Sequence, residues 1–191
     1  MGGVRAAALQ LLRPRAVLES SMDTKAFERA VTAHKDRVHA YAAMMLRDST
    51  EAQDVSQEAM VRLWQNRERV GSDRARPWLM RTTHNLCIDR IRKRRVRSEL
   101  DKGDEIVDRQ SDENPGPGRL AESDEVGRMI GRALRSLVPE DRAVIVMREI
   151  QGMPYDEIAE AMQVPLGTLK ARLHRARDRL RGRLARVGVT P

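Results

Sequence analysis

Apolar residues recur three and four apart along most of the chain, and nowhere do they alternate with polar ones for long. That is the period of a helix buried on one face; a half-buried strand would repeat every second residue. In "TKAFERAVTAHKDRVHAYAAMML", Phe27, Ala30, Val31, Val38, Tyr41 and Met45 fall near one helical stripe. In "TEAQDVSQEAMVRLW", Val55, Ala59 and Leu63 stand four apart. A polar turn, "NRERVGSDRAR", then precedes Pro77, whose fixed φ suits a first helical turn. "PWLMRTTHNLCIDRIRKRRVR" follows as a helix, with Leu79, Leu86 and Ile91 among its apolar positions. Downstream the pattern predicts helices over 126–137 and 139–147, a short one over "YDEIAEAM", and a long one after "QVP". With no internal repeat and no strand pattern, the predicted fold class is all-α.

The helical pattern breaks once. Between residues 98 and 125 ten acids face three bases, a local balance of −7, around the sequence "NPGPG". Proline and glycine there forbid a continuous helix, and the acidity disfavours a core. The expected organisation is therefore two small helical domains, 23–97 and 126–187, joined by a flexible acidic linker at 98–125. Residues 1–22 read as a poorly ordered lead-in and 188–191 as a tail. The lead-in has a short apolar run at 6–12, interrupted by Gln10 and without a clear cleavage site, so a signal peptide is not expected. Met22 opens "MDTKAFERA" and is a second candidate start of translation.

Composition narrows the class of partner. A formal net charge of +8 and a pI of about 10.5 point to a polyanion. Aromatics at 3% suit helical bundles better than sheets. A lone Cys87 excludes an internal disulfide framework and fits a reducing, cytoplasmic compartment. No stretch approaches the roughly 18 apolar residues of a membrane span. Phosphate-cradling glycine loops, zinc-binding histidine pairs and nucleophile elbows are absent from the sequence. His34 and His39 are five apart, off a common helix face, so neither a metal nor a cofactor is expected.

Three clusters carry the candidate chemistry. "YDEIAEAMQVPLGTLKARLHRARDRL" has helix-turn-helix spacing, with a tight turn at 163–165. Ile158, Ala159, Met162, Leu169 and Leu173 are expected to bury together, and Leu169, Leu173, Ala176, Leu180 and Leu184 form the docking stripe of the last helix. Its bases, Lys170, Arg172, His174, Arg175, Arg177 and Arg179, occupy the other faces, where they would meet phosphates and base edges. The second cluster is "DRIRKRRVR", six bases against one acid, a phosphate-binding face or merely a solvated one. The third is acidic: Asp54, Gln57 and Glu58 share a helix face beside Arg62. On a DNA-binding protein that face is either ordinary solvated surface or a dock for a basic protein partner. A linker of 28 residues reaches roughly 90 Å, enough for the two basic clusters to hold sites two DNA turns, about 70 Å, apart.

Together "EAQDVSQEAMVRLWQN", "RPWLMRTTHNLCIDRIRKRR" and "YDEIAEAMQVPLGTLKARLHRARDRLR" resemble the extracytoplasmic-function (ECF) group of bacterial RNA polymerase sigma factors, over residues 23–187. The resemblance implies a region 2 bundle and a region 4 helix-turn-helix. It implies a protein that binds core polymerase, through the β′ clamp helices and the β flap, and directs promoter-specific initiation without catalysing a reaction. Asp54, Gln57, Glu58 and Arg62 then become the core-binding face. Asn85 falls where the family places a pocket for a flipped base of the minus-ten element, lined by residues 70–76. Asp89, Arg90, Arg92, Lys93 and Arg94 join it along the melted strand. Thr168, Lys170, Arg172, His174 and Arg175 become the minus-thirty-five contacts. The linker corresponds to the segment that threads toward the RNA exit path, and the usual controller is an anti-sigma factor, often membrane-bound. No added C-terminal domain is expected after Pro191, so any sensing is expected to come from another protein, and no small-molecule substrate is expected. "RTTHN" is more polar than the family's usual "RIARN", which sets Thr82, Thr83 and His84 apart. The readings outside the family are a free-standing helix-turn-helix regulator and an RNA-binding adaptor.

Overall fold

Two aspartates start the first two helices by the same device. Asp23 Oδ1 accepts the Ala26 N–H at 2.6 Å and Asp48 Oδ1 the Glu51 N–H at 2.9 Å. Each satisfies one of the donors that a helix start leaves without a partner, and Asp48 with Glu51 has capping-box spacing. In this computed structural model, described over residues 21–46, 48–100 and 125–186, they open α1 (Thr24–Leu46) and α2 (Ser49–Asn66). Residues 1–20, most of the expected acidic linker (101–124) and the tail lie outside the described residues. A 3-10 turn, Ser72–Arg74, leads into α3 (Ala75–Leu100), which carries Pro77 in its first turn. The three helices pack pairwise around Tyr41, Ala42 and Met45 of α1, Val55, Ala59 and Leu63 of α2, and Leu79, Met80 and Cys87 of α3. Met22, at the end of the expected lead-in, is buried in this core, and its N–H donates to Arg67 O at 2.9 Å.

The second half comprises α4 (Glu125–Arg135), α5 (Pro139–Ile145), α6 (Tyr155–Met162) and α7 (Leu166–Arg186). Pro139 stands at the start of α5, where its missing N–H costs nothing. The helix expected over 139–147 does not stop there but widens into a π turn, Val146–Ile150. The chain then reverses at Gly152, whose φ of 63° is open to glycine at little cost. Gln163 closes α6 in the same left-handed region, at φ 55°. Val164 N–H reaches back to Ala159 O at 3.1 Å, satisfying a terminal carbonyl. Ile158, Ala161, Leu169, Leu173 and Ala176 are buried, while Ala159, Met162 and Leu180 are half-buried against them. Full burial of each large aliphatic side chain contributes roughly 1.5–3 kcal/mol, which is what docks α7.

The two halves are not held apart. Among the described residues the buried side chains of both form one continuous core, and α3 packs on α6. A polar seam runs beside this contact. Arg142 Nη1 donates to Met45 O at 2.8 Å, and Gln151 Nε2 to Arg37 O at 2.8 Å. Arg76 pairs with Glu157 at 3.1 Å and Arg74 with Glu160 at 2.7 Å. The sequence expectation of two bodies on a long tether allowed this arrangement but did not require it.

Candidate nucleic-acid and partner-docking surfaces

Helix α7 presents one face to its own domain and another to solvent, and its bases divide accordingly. Thr168, Lys170, His174 and Arg175 are exposed. Among the described residues Lys170 and Arg175 carry no ion pair, while His174 lies 3.1 Å from Asp178. Arg172 is different. It is half-buried and turned toward Asp141, 3.7 Å away, with its Nε buried and without a hydrogen bond. Arg179 pairs with the same carboxylate, and Asp141 is only 2% exposed. A buried carboxylate is costly unless paired, so Asp141 clamps α7 through two of its arginines. Arg177 is likewise engaged with Glu149, at 2.6 Å. Of the bases and hydroxyl expected to meet DNA, a compact outward set remains: Thr168, Lys170, His174 and Arg175.

The basic end of α3 divides in the same way. Asn85 is exposed, and Asp89 and Arg92 follow it at one and two turns on the same face, themselves 3.7 Å apart. Lys93 is exposed beside them, and Arg81 stands one turn before Asn85. Arg94 turns back instead. It donates to Glu51 Oε2 at 2.6 Å and to Leu46 O at 3.2 Å, tying α3 to the end of α1 and the start of α2. Arg90 lies 3.8 Å from Glu58. The exposed strip is therefore Arg81, Asn85, Asp89, Arg92 and Lys93. Arg81 was missed from the sequence, although its place one turn before Asn85 was visible there.

The acidic face of α2 is present and outward. Asp54 and Gln57 are exposed with no ion pair among the described residues. Glu58 binds Arg62 at 2.6 Å and is the point where this face meets the basic end of α3. A turn further on, Val61 and Trp64 are exposed, with the Arg67 guanidinium stacked 4.0 Å over the Trp64 ring. Charge and exposed apolar surface together suit a protein partner better than nucleic acid.

The polar stretch before Asn85 is internal. Thr83 donates to Leu79 O at 2.7 Å, and the Tyr41 hydroxyl and His84 Nδ1 share a hydrogen bond of 2.8 Å. Burial pushes the His84 pKa down to about 4, against a smaller opposing pull from Glu140, so the ring is neutral at pH 7. Burial likewise pushes the Cys87 thiol up to about 12, which fits a packed small residue and no nucleophile. Among the described residues no group of His, Cys, Asp or Glu is arranged to hold a metal ion, and no helix is long and apolar enough to cross a membrane.

Comparison with known proteins agrees with this layout. Residues 30–97 match the family model for Sigma-70 region 2, and residues 127–180 that for Sigma-70 region 4. The chain is 34% identical to the ECF RNA polymerase sigma factor SigE of Mycolicibacterium smegmatis, over 90% of this chain and 67% of that protein. It is 34% identical to the ECF RNA polymerase sigma factor SigW of Bacillus subtilis, over 85% of this chain and 90% of that protein. Among solved structures it resembles the sigma factor RpoE of Bartonella quintana, in complex with the anti-sigma factor NepR. The TM-score there is 0.70 at 22% identity, over 85% of this chain and 98% of that one. CnrH in complex with the cytosolic domain of CnrY gives a TM-score of 0.61 at 25% identity, over 85% and 90%.

Proposed function

The chain belongs to the ECF sigma factors, polymerase-binding factors that direct promoter-specific initiation and catalyse no reaction themselves, and from that premise we propose how its surfaces divide the work. Asp54, Gln57 and Glu58, with Arg62 bracing Glu58, dock on core polymerase. Asn85 receives a flipped base of the minus-ten element, and Asp89, Arg92 and Lys93 follow the melted strand. Arg90 and Arg94 hold α3 on α2 and act on the strand by positioning it. Thr168, Lys170, His174 and Arg175 read the minus-thirty-five element in the major groove. Arg172 fixes the pitch of that helix through Asp141. The observation that carries this division is the outward Asp54–Gln57 face, which a duplex-binding regulator would have no use for.

The work is cytoplasmic, where core polymerase and DNA are. An anti-sigma factor is the proposed controller. The solved complexes of RpoE with NepR and of CnrH with CnrY support a partner of that kind.

Run-off transcription with core polymerase and a promoter library tests the reading. Transcripts sharing two upstream elements are expected from the parent, and none from a chain with Asp54→Lys and Glu58→Lys that retains its helical circular dichroism. Transcripts undiminished in that variant would refute the docking face. Tight duplex binding without polymerase and without transcripts would favour the free-standing regulator.

A further inference from the structure

The outward face of α2 has an order along its length. Read from the end of the helix toward its start, Trp64 and Val61 come first, and Glu58 and Asp54 follow. Trp64 is 37% exposed and Val61 48%, large apolar surface left open on a highly charged protein. Asp54 is exposed and carries no ion pair among the described residues. From Asp48 to Val61 the helix and its cap hold four acids and no base.

The chain enters the fold beside this face. Met22 N–H donates to Arg67 O at 2.9 Å, and the Phe27 ring meets the Trp64 ring edge-on at 4.9 Å. Residues 1–20, which lie outside the described residues, are thus tethered at the last turn of α2. Read backward from Met22, their sequence has the same order as the face: Leu18 and Val17, then Arg15 and Arg13. Residues 1–20 carry three arginines against one acid, Glu19. The reach also fits. From Arg67 to Asp54 is thirteen residues of helix, about 20 Å. From Met22 back to Arg13 is nine residues of chain, which span up to about 30 Å. The acidic segment 98–125, at −7, would be repelled by the same carboxylates.

We propose that the N-terminal segment docks on the outward face of α2, with Val17 and Leu18 over Val61 and Trp64, Arg15 at Glu58 and Arg13 at Asp54. The occupant competes with core polymerase for that face, a consequence that rests on the docking reading above. Exposed ion pairs each contribute little, so the contact is reversible, and its tether supplies the effective concentration that a free peptide would lack. Polymerase then binds only the uncovered fraction, and its apparent affinity falls by that fraction.

The first test needs no polymerase. The chain has two tryptophans, so Trp78→Phe leaves Trp64 as the sole reporter. Acrylamide quenching of Trp64 in the full chain is compared with that in the same chain carrying Arg13→Glu and Arg15→Glu. If the segment covers Trp64 half the time or more, the variant is quenched roughly twofold more steeply. Val17→Ser with Leu18→Ser should do the same. Asp54→Lys should also unshield Trp64, and Arg13→Glu added to it should restore the shielding, because the pair is then reversed. Asp36→Lys, the same charge change at an exposed acid of α1, should leave quenching unchanged. Thermal unfolding followed by circular dichroism confirms that each chain is folded. Equal quenching of parent and arginine variant, no restoration in the reversed pair, or an equal effect of Asp36→Lys would each overturn the proposal. Shielding that falls on dilution would overturn it too, by giving the face to a second copy. The second test measures core polymerase binding by anisotropy of a labelled chain. Arg13→Glu with Arg15→Glu should tighten it roughly twofold to tenfold. Unchanged polymerase affinity with Trp64 shielding lost would uphold the contact and overturn the assignment of this face to polymerase.

Discussion

Replacing Arg142 with methionine should destabilise the protein more than any substitution on its charged surfaces. The side chain is 4% exposed and donates to four carbonyls. Nε reaches Leu134 O at 3.2 Å; Nη2 reaches Arg135 O at 3.0 Å and Leu137 O at 3.2 Å; Nη1 crosses to Met45 O at 2.8 Å. Three of these acceptors lie at or just beyond the end of α4, and the fourth lies near the end of α1, where helices leave carbonyls without partners. Each hydrogen bond from a charged donor contributes about 1.5–3 kcal/mol, offset by the desolvation of the guanidinium. Methionine fills similar volume but takes the guanidinium donors from all four carbonyls, of which Leu134 O alone keeps a partner among the described loop and cap bonds, the Leu137 N–H at 3.1 Å. The net loss is about 3–5 kcal/mol, or roughly 6–20 °C in melting temperature for a chain of this size. Urea denaturation followed by circular dichroism measures it. Arg142→Lys keeps the charge but cannot reach four acceptors, so it should fall between parent and methionine. Hydrogen exchange should rise at the ends of both α1 and α4, because one guanidinium serves both. A loss under about 1 kcal/mol, or a response confined to α4, would refute the claim that Arg142 ties the halves together.

Three further outcomes are expected. Arg175→Ala should cost about 1–3 kcal/mol of binding to the minus-thirty-five element by holoenzyme; an equal loss on scrambled duplex would make it a phosphate contact instead. His84, held near pKa 4 in the folded chain against 6.5 unfolded, contributes stability that is complete above pH 6.5 and lost as pH falls toward 4. Between pH 7 and 4.5 His84→Gln should therefore lose roughly 2–3 kcal/mol less than the parent in urea titrations; parallel pH slopes would contradict this. Gln163→Gly should stabilise the chain by about 0.5–1 kcal/mol in the same assay, because the left-handed φ at the end of α6 strains any residue with a Cβ.

The helices and the docking stripe of α7 were legible because burial on one face leaves a period in the sequence. What lay against each face was not, because periodicity marks the buried side and is silent about its neighbour. Asp141 and Arg142 show the difference. Two consecutive charges at the start of a helix read as solvated surface, yet both are buried, one held by arginines of α7 and the other by carbonyls. Arg172 and Arg94 sat within basic runs and looked equivalent to their neighbours. Only the fold shows that each is held by a carboxylate of another helix. The polar Thr83 and His84 find their partners at Leu79 O and Tyr41, so their departure from the family pattern is a matter of core chemistry. The expected site residues Asn85, Lys170 and Arg175 are exposed, so a motif could point to them without knowledge of packing.

Packing of the halves covers neither of the two surfaces proposed to meet DNA. Lys170 and Arg175 remain exposed while the halves are packed, so the proposed duplex-reading face of α7 keeps its field. Arg74 and Arg76 are engaged by α6, while Asn85, Asp89, Arg92 and Lys93 of the proposed strand face stay exposed. Opening also requires the Arg142–Met45 and Gln151–Arg37 contacts to break. A partner that binds the Asp54–Gln57 face lies on α2, away from this seam, and drives opening only by binding the separated form more tightly. The same linkage makes any second partner that bridges α3 and α6 hold the halves together, because it would add its binding energy to the packed state.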